Sequence, residues 1–239
     1  MSHDEPRRAS VIIGGYFGRP AFYAGMKSRI EDISQQPARI VPVSFSMWAL
    51  AAVPAGWSLI LGSIDRTVLE TLSFDDPEKL SLIGHSIGGL FLRLYARALC
   101  GEGKSLAAAA RIDRIISLGS PHQNRSRILH GGLLTRALRR RGRGISGSSG
   151  IRILCVAGRR VRGNLDGTPE EKRAARIYAK ISGESRAWGD GVVPLSSAVL
   201  PGTEPIILDG VGHSPLSGGE WYGSPDVVSR WWTASAGVE

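Results

Sequence analysis

Short runs of apolar, β-branched residues alternate along this chain with longer stretches in which apolar positions recur every three or four residues. The short runs, 10–13, 38–43, 79–83, 112–119, 151–158 and 204–210, have the length of buried strands. The longer period predicts helices over 21–34, about 57–72, 86–99, 169–180 and 225–232. In the last of these, Val227, Val228, Trp231 and Trp232 fall near i, i+4 spacing, which gives the helix an apolar face to lay on a sheet. Strand and helix alternating in this way predict an α/β fold, a mostly parallel sheet of about six strands with helices on both faces.

One segment breaks the alternation. Residues 123–150 are rich in Gly, Ser and Arg, between one strand and the next, and read as an irregular, basic, lid-like insertion within a single domain spanning 1–239. A second unusual stretch, 40–64, holds no charged residue. Pro42, Pro54 and Gly56 interrupt it, so it reads as a strand followed by an apolar loop and helix that help line a pocket, rather than as a membrane span.

Composition changes this picture little. At 239 residues, 42% hydrophobic and 21% charged, the chain is that of an ordinary globular domain. Charge adds more: 30 Lys and Arg against 21 Asp and Glu leave a net +9, much of it between Arg125 and Arg162. No aromatic residue is interleaved in that basic stretch, so the pattern is not that of a single-strand nucleic-acid surface, and no specific nucleic-acid partner is expected. A solvated loop, or a patch that makes transient contact with an anionic membrane surface, remains. The two cysteines, Cys100 and Cys155, suggest no disulfide framework. The opening MSHDEPRRAS lacks the apolar centre of a secretory leader, so a cytoplasmic location is expected.

The chemistry concentrates at LSLIGHSIGGLFLRLYARAL, residues 80–99, where Gly84, Ser86 and Gly88 form Gly-x-Ser-x-Gly between an apolar strand and an amphipathic helix. Glycines on either side let strand and helix approach while the serine hydroxyl stands clear, and the helix N-terminus points amides at the space beside it. The stretch resembles the nucleophile elbow of the α/β-hydrolase superfamily, and its GHSxGG form is similar to the lipase and esterase branch. The resemblance implies the α/β-hydrolase fold and a triad in the order Ser, acid, His.

A serine needs a base and the base a carboxylate. Of five histidines, His213 in LDGVGHSPL follows the last strand and precedes the last helix, where the family carries its base. His3 sits in the terminus, His130 in the insertion, and His85 inside the elbow, turned from the reacting side; His122 in LGSPHQ reads as structural or pocket-lining. For the acid, Asp190 in WGDGVVP is similar to the turn on which many lipases carry theirs, with Asp166 and Asp209 as competitors. The oxyanion donors implied are the amides of Ile87 and of Tyr16, with Phe17 the alternative, since IIGGYFGRP has Gly14 where lipases usually show histidine.

GEGKS, residues 101–105, misses phosphate-loop spacing, and neither the cysteines nor the histidines have metal-ligand spacing, so no cofactor and no metal are expected. The resulting expectation is a serine hydrolase of carboxylic esters, lipase or esterase, taking a small-molecule or lipid ester through an acyl-enzyme. An acyltransferase with the same triad, or a non-catalytic binding module on a hydrolase scaffold, stands as the alternative. The segments GVGHSPL and WYGSPDVVSRWW are similar to lipase-like hydrolases related to the inositol deacylases of glycolipid anchors.

Overall fold

The computed structural model describes residues 6–102, 106–126, 130–140 and 150–236. Its strands are β1 (Arg8–Ile13), β2 (Ala38–Ile40), β3 (Lys79–His85), β4 (Ile112–Leu118), β5 (Arg152–Arg159), β6 (Val161–Arg162), β7 (Trp188–Gly189) and β8 (Ile206–Asp209). Six of them form one sheet in the order β2-β1-β3-β4-β5-β8, parallel throughout, and these are the six read from the sequence. β6 and β7, each a two-residue strand, pair antiparallel apart from it and are too short to leave a pattern. β2 ends before its apolar run does, because Pro42 has no N–H to give to a ladder.

The helices are α1 (Ala24–Ser34), α2 (Phe45–Leu50), α3 (Trp57–Asp75), α4 (Ile87–Glu102), α5 (Leu106–Arg111), α6 (His130–Arg140), α7 (Pro169–Ser182), α8 (Leu195–Ala198) and α9 (Pro225–Ala236). Strand side chains alternate between two cores, as a two-residue period requires. Val11, Ile13, Leu80 and Leu82 pack with Ile60, Ile64, Leu90 and Phe91 on the face covered by α3 and α4. Ile12, Ile83 and Ile116 pack with Met26, Ile30, Val227 and Trp231 on the face covered by α1 and α9. The sheet is thus the middle of three layers.

Part of the 123–150 insertion is more regular than its composition suggests. α6 buries Leu134 and Leu138, an i, i+4 pair, against the core that holds α4, and Arg97 Nη1 donates to the carbonyl of Leu138 at 2.6 Å. Two glycines and several arginines hide that apolar pair from a reading by composition. The remainder of the insertion, 127–129 and 141–149, lies outside the described residues, as does most of GEGKS. The 40–64 stretch divides into the strand end, α2, a 3-10 turn and the start of α3. Among the described residues no helix is long and apolar enough to cross a membrane.

The strand order reverses direction at β1: the chain leaves it for β2 on one side and returns as β3 on the other. Ligand crevices in parallel sheets form at the carboxyl ends of strands beside such a reversal.

Candidate active site

Ser86 follows β3 directly and heads α4 with φ 55°, in the left-handed region that a residue with a Cβ occupies only under strain. Two contacts hold it there. Its amide donates to the carbonyl of Leu118 at the end of β4 at 2.8 Å, and Gly84 lets the turn close, since a Cβ on it would stand 2.5 Å from the backbone of Gly89. The loop after β1 lies against the same corner: a Cβ on Gly15 would come within 2.8 Å of Ser86 Cβ.

Oγ of Ser86 lies 3.0 Å from Nε2 of His213, and Nδ1 of His213 lies 2.7 Å from Oδ2 of Asp190. A carboxylate only accepts, so Nδ1 carries the proton and Nε2 faces the hydroxyl as the bare, accepting nitrogen. Asp190 is 1% exposed. Burial by itself raises its pKa, but the charge and hydrogen bond of His213 and the amides of Val193 and Val192, on Oδ1 at 2.7 and 2.9 Å, outweigh that and hold the carboxyl below its ordinary value. The two loops are also joined through main chain, His213 N–H donating to Asp190 C=O at 3.0 Å. Tyr222, after β8, donates its hydroxyl to Asp190 Oδ2 at 3.0 Å and accepts the amide of Gly158 at 2.7 Å.

The competing acids are elsewhere. Asp209 is exposed and forked onto Arg159, with Nη2 to Oδ2 at 2.8 Å, while Asp166 is exposed and among the described residues its carboxylate pairs with Arg186, at 4.0 Å. His122 is buried, its Nδ1 accepting from Arg93 Nη1 at 3.2 Å; burial first, and then the arginine's charge, push its pKa well below the ordinary histidine value. It takes no part in the cleft. His85 departs from expectation: it is among the residues lining the cleft, and its ring centroid lies 4.9 Å from that of His213.

A cleft of about 370 Å³ opens over Ser86. It is lined by the polar side chains of Ser86, His213, His85 and Tyr23 and, on its more apolar part, by Tyr16, Phe17, Phe22, Val192 and Leu216. Leu216 is 85% exposed and Phe45, which stacks on Phe17 at 4.7 Å, is 71% exposed, so apolar side chains continue beyond the mouth. The described lining contains nothing from α6. Among the described residues no group of three or more His, Cys, Asp or Glu is disposed to hold a metal ion.

Protein-family models and curated proteins return no match to this chain. Solved structures do. The product of the Listeria innocua gene lin2722 aligns over 98% of this chain and 95% of its own, at 14% identity and TM-score 0.60. Phospholipase PlaB from Legionella pneumophila aligns over 95% of this chain at 14% identity and TM-score 0.58, and the match spans 59% of PlaB. A protein from Xanthomonas campestris assigned to the α/β-hydrolase superfamily aligns over 95% of this chain and 98% of its own, at 8% identity and TM-score 0.52. The fold is the α/β-hydrolase fold.

Within this α/β-hydrolase fold, the turn after β3 carries Ser86, the loop after β7 carries Asp190 and the loop after β8 carries His213. Ile87 follows Ser86 at the head of α4, and Tyr16, in the loop after β1, lines the same cleft. Three residues at the site went unassigned by sequence reasoning: Tyr222, Tyr23 and, as a participant, His85. The only local signal is that each tyrosine stands near a glycine-rich loop, which is too common to single it out.

Proposed function

We propose that this protein is a cytoplasmic serine hydrolase of carboxylic esters, with Ser86 as nucleophile, His213 as general base and acid, and Asp190 as the carboxylate that orients the imidazole. The observation that carries the reading is the continuous series Ser86 Oγ, His213 and Asp190, at 3.0 and 2.7 Å. Ser86 Oγ attacks the ester carbonyl while its proton passes to His213 Nε2, and the carbonyl oxygen becomes an oxyanion received by the amides of Tyr16 and Ile87. Collapse of the tetrahedral intermediate expels the alcohol, which takes the proton from His213. Water, deprotonated by the same imidazole, then attacks the acyl-enzyme; the acid is released and Ser86 regains its proton.

A lipid-like ester is the substrate class favoured. The support is the apolar side of the cleft, Phe17, Phe22, Val192 and Leu216, and its continuation outward through Phe45. PlaB, which shares the fold, is a phospholipase. The net charge of +9 favours transient contact with an anionic membrane surface while such a substrate is presented.

The experiment is labelling with a fluorophosphonate probe together with hydrolysis of p-nitrophenyl esters from acetyl to palmitoyl. Wild-type protein takes one label and hydrolyses esters; Ser86→Ala loses both. Label or turnover retained by pure Ser86→Ala protein overturns the nucleophile. A preference for acetyl esters, unmoved by vesicles of anionic lipid, overturns the lipid-like substrate and leaves the esterase.

A further inference from the structure

His85 is the x of the elbow motif, and its two ring nitrogens are both engaged. Nε2 lies 2.8 Å from the main-chain carbonyl of His213, and Nδ1 lies 2.8 Å from the hydroxyl of Tyr23. A carbonyl oxygen can only accept, so Nε2 holds the proton. In the neutral ring Nδ1 is then bare and accepts from Tyr23. That leaves the tyrosine oxygen to accept, and the amide of Gly15 donates to it at 2.8 Å. One direction of donation therefore runs from Gly15 N–H through Tyr23 and His85 to His213 C=O, every member buried. Burial first, then the neighbouring His213, drive the pKa of His85 down to about 3, against a smaller upward pull from the His213 carbonyl and Asp190, so the neutral ring is the one present near neutral pH. A neutral ring adds no charge to repel the imidazolium that forms on His213 during turnover.

The two ends of this series matter. Gly15 is the residue before Tyr16, whose amide the proposed mechanism uses as an oxyanion donor, and His213 is the proposed base. We propose that Tyr23 and His85 are positioning residues that tie the loop after β1 to the main chain of His213, so that the oxyanion donor and the base are set as one unit rather than by two independent loops. This rests on the serine-hydrolase reading. Neither residue touches the reacting atoms in it; each acts through a neighbour's backbone.

Three single variants, one double variant and one spectrum test it. His85→Gln keeps a donor and an acceptor on a side chain of similar reach, whereas His85→Leu keeps only volume. On a soluble ester, His85→Leu and Tyr23→Phe are expected to lose kcat by about ten-fold or more with KM within about three-fold, and His85→Gln to recover most of the loss. The double variant His85→Leu, Tyr23→Phe should be little worse than His85→Leu alone, as members of one series are not additive. A packing role predicts the opposite order, since an apolar pocket favours Leu over Gln; Leu equal to or better than Gln overturns the proposal. The last measurement needs no turnover: nitrogen-15 spectra of the histidine rings in wild-type protein should show the His85 proton on Nε2 from about pH 5 to 8. A proton on Nδ1, or a ring that titrates in that interval, overturns the relay even if esters are hydrolysed. Absence of Ser86 labelling alongside an Nε2 proton sinks the hydrolase reading instead, and with it the positioning role.

Discussion

The hydroxyl of Tyr222 lies 3.0 Å from Oδ2 of Asp190, the same oxygen that meets Nδ1 of His213 at 2.7 Å. Burial, and then the charge of Asp190, push the phenol's pKa well above its ordinary value, so it stays protonated and stays a donor. Because Tyr222 also accepts the amide of Gly158 at the end of β5, it fixes the acid to the sheet. Tyr222→Phe leaves a buried amide and a buried carboxylate each short of a partner. The expected result is a stability loss of about 1–3 kcal/mol by urea unfolding, with ester hydrolysis reduced about ten-fold. Unchanged hydrolysis would show that Asp190 is held well enough without it.

Strain at Ser86 gives a second test. Both Ser86→Ala and Ser86→Gly remove the hydroxyl, but only glycine relieves a Cβ at φ 55°. Left-handed backbone costs a residue with a Cβ about 1 kcal/mol relative to glycine, offset in part by the greater freedom of glycine in the unfolded chain. Ser86→Gly should therefore melt above Ser86→Ala in calorimetry. The reverse order would mean that the corner is relaxed.

The loop after β1 offers a third. A methyl on Gly15 would stand 2.8 Å from Ser86 Cβ and 3.0 Å from His85 Nδ1. Neither neighbour can retreat far, so Gly15→Ala should keep the fold, at a cost of about 1–3 kcal/mol, while displacing Ser86, the proposed nucleophile, and lowering kcat by about a hundred-fold. Full activity with normal stability would show a more yielding loop.

Acid should weaken the fold through its buried histidines. His85, with a folded pKa of about 3, and His122, also pushed far down, remain neutral in the native state while the unfolded chain takes up protons below about pH 6.5. The unfolded state then binds more protons, so stability falls as pH falls through this window, by about 1.4 kcal/mol per pH unit for each histidine. Asp190, held below its ordinary value, adds a further loss at still lower pH, as its carboxylate is protonated. Urea midpoints measured from pH 7 to 4 should drop accordingly, and more gently in His122→Gln; a flat profile would contradict the burial of these rings.

Much of this molecule was legible before it was seen, for reasons that differ residue by residue. The central strands β1, β3, β4 and β5 announced themselves because each is buried on both faces and so reads as a nearly unbroken apolar run. Ser86 was legible because its constraint is local: strand, tight turn and helix are contiguous in sequence. His213 and Asp190 were found by position relative to elements and by resemblance, and they meet in space as that order implies. Tyr23 and Tyr222 were not legible, since what matters about each is where a hydroxyl ends up, 62 residues away on His85 and 32 residues away on Asp190. In the sequence both look like ordinary core aromatics. α6 was missed because the Gly-, Ser- and Arg-rich segment that contains it reads as irregular, although the pair Leu134 and Leu138 carries its packing.

The distance along the chain between Ser86 and His213, 127 residues, has a consequence for how the molecule is born. A nascent polypeptide extended through β5 already owns the serine and its sharp corner, yet neither imidazole nor carboxylate to awaken it. Only when β8 docks on β5 at the sheet's edge, with the segment behind it, do the missing partners arrive. On the proposed reading, reactivity is thus a late property of this chain, withheld from every nascent form that ends before His213.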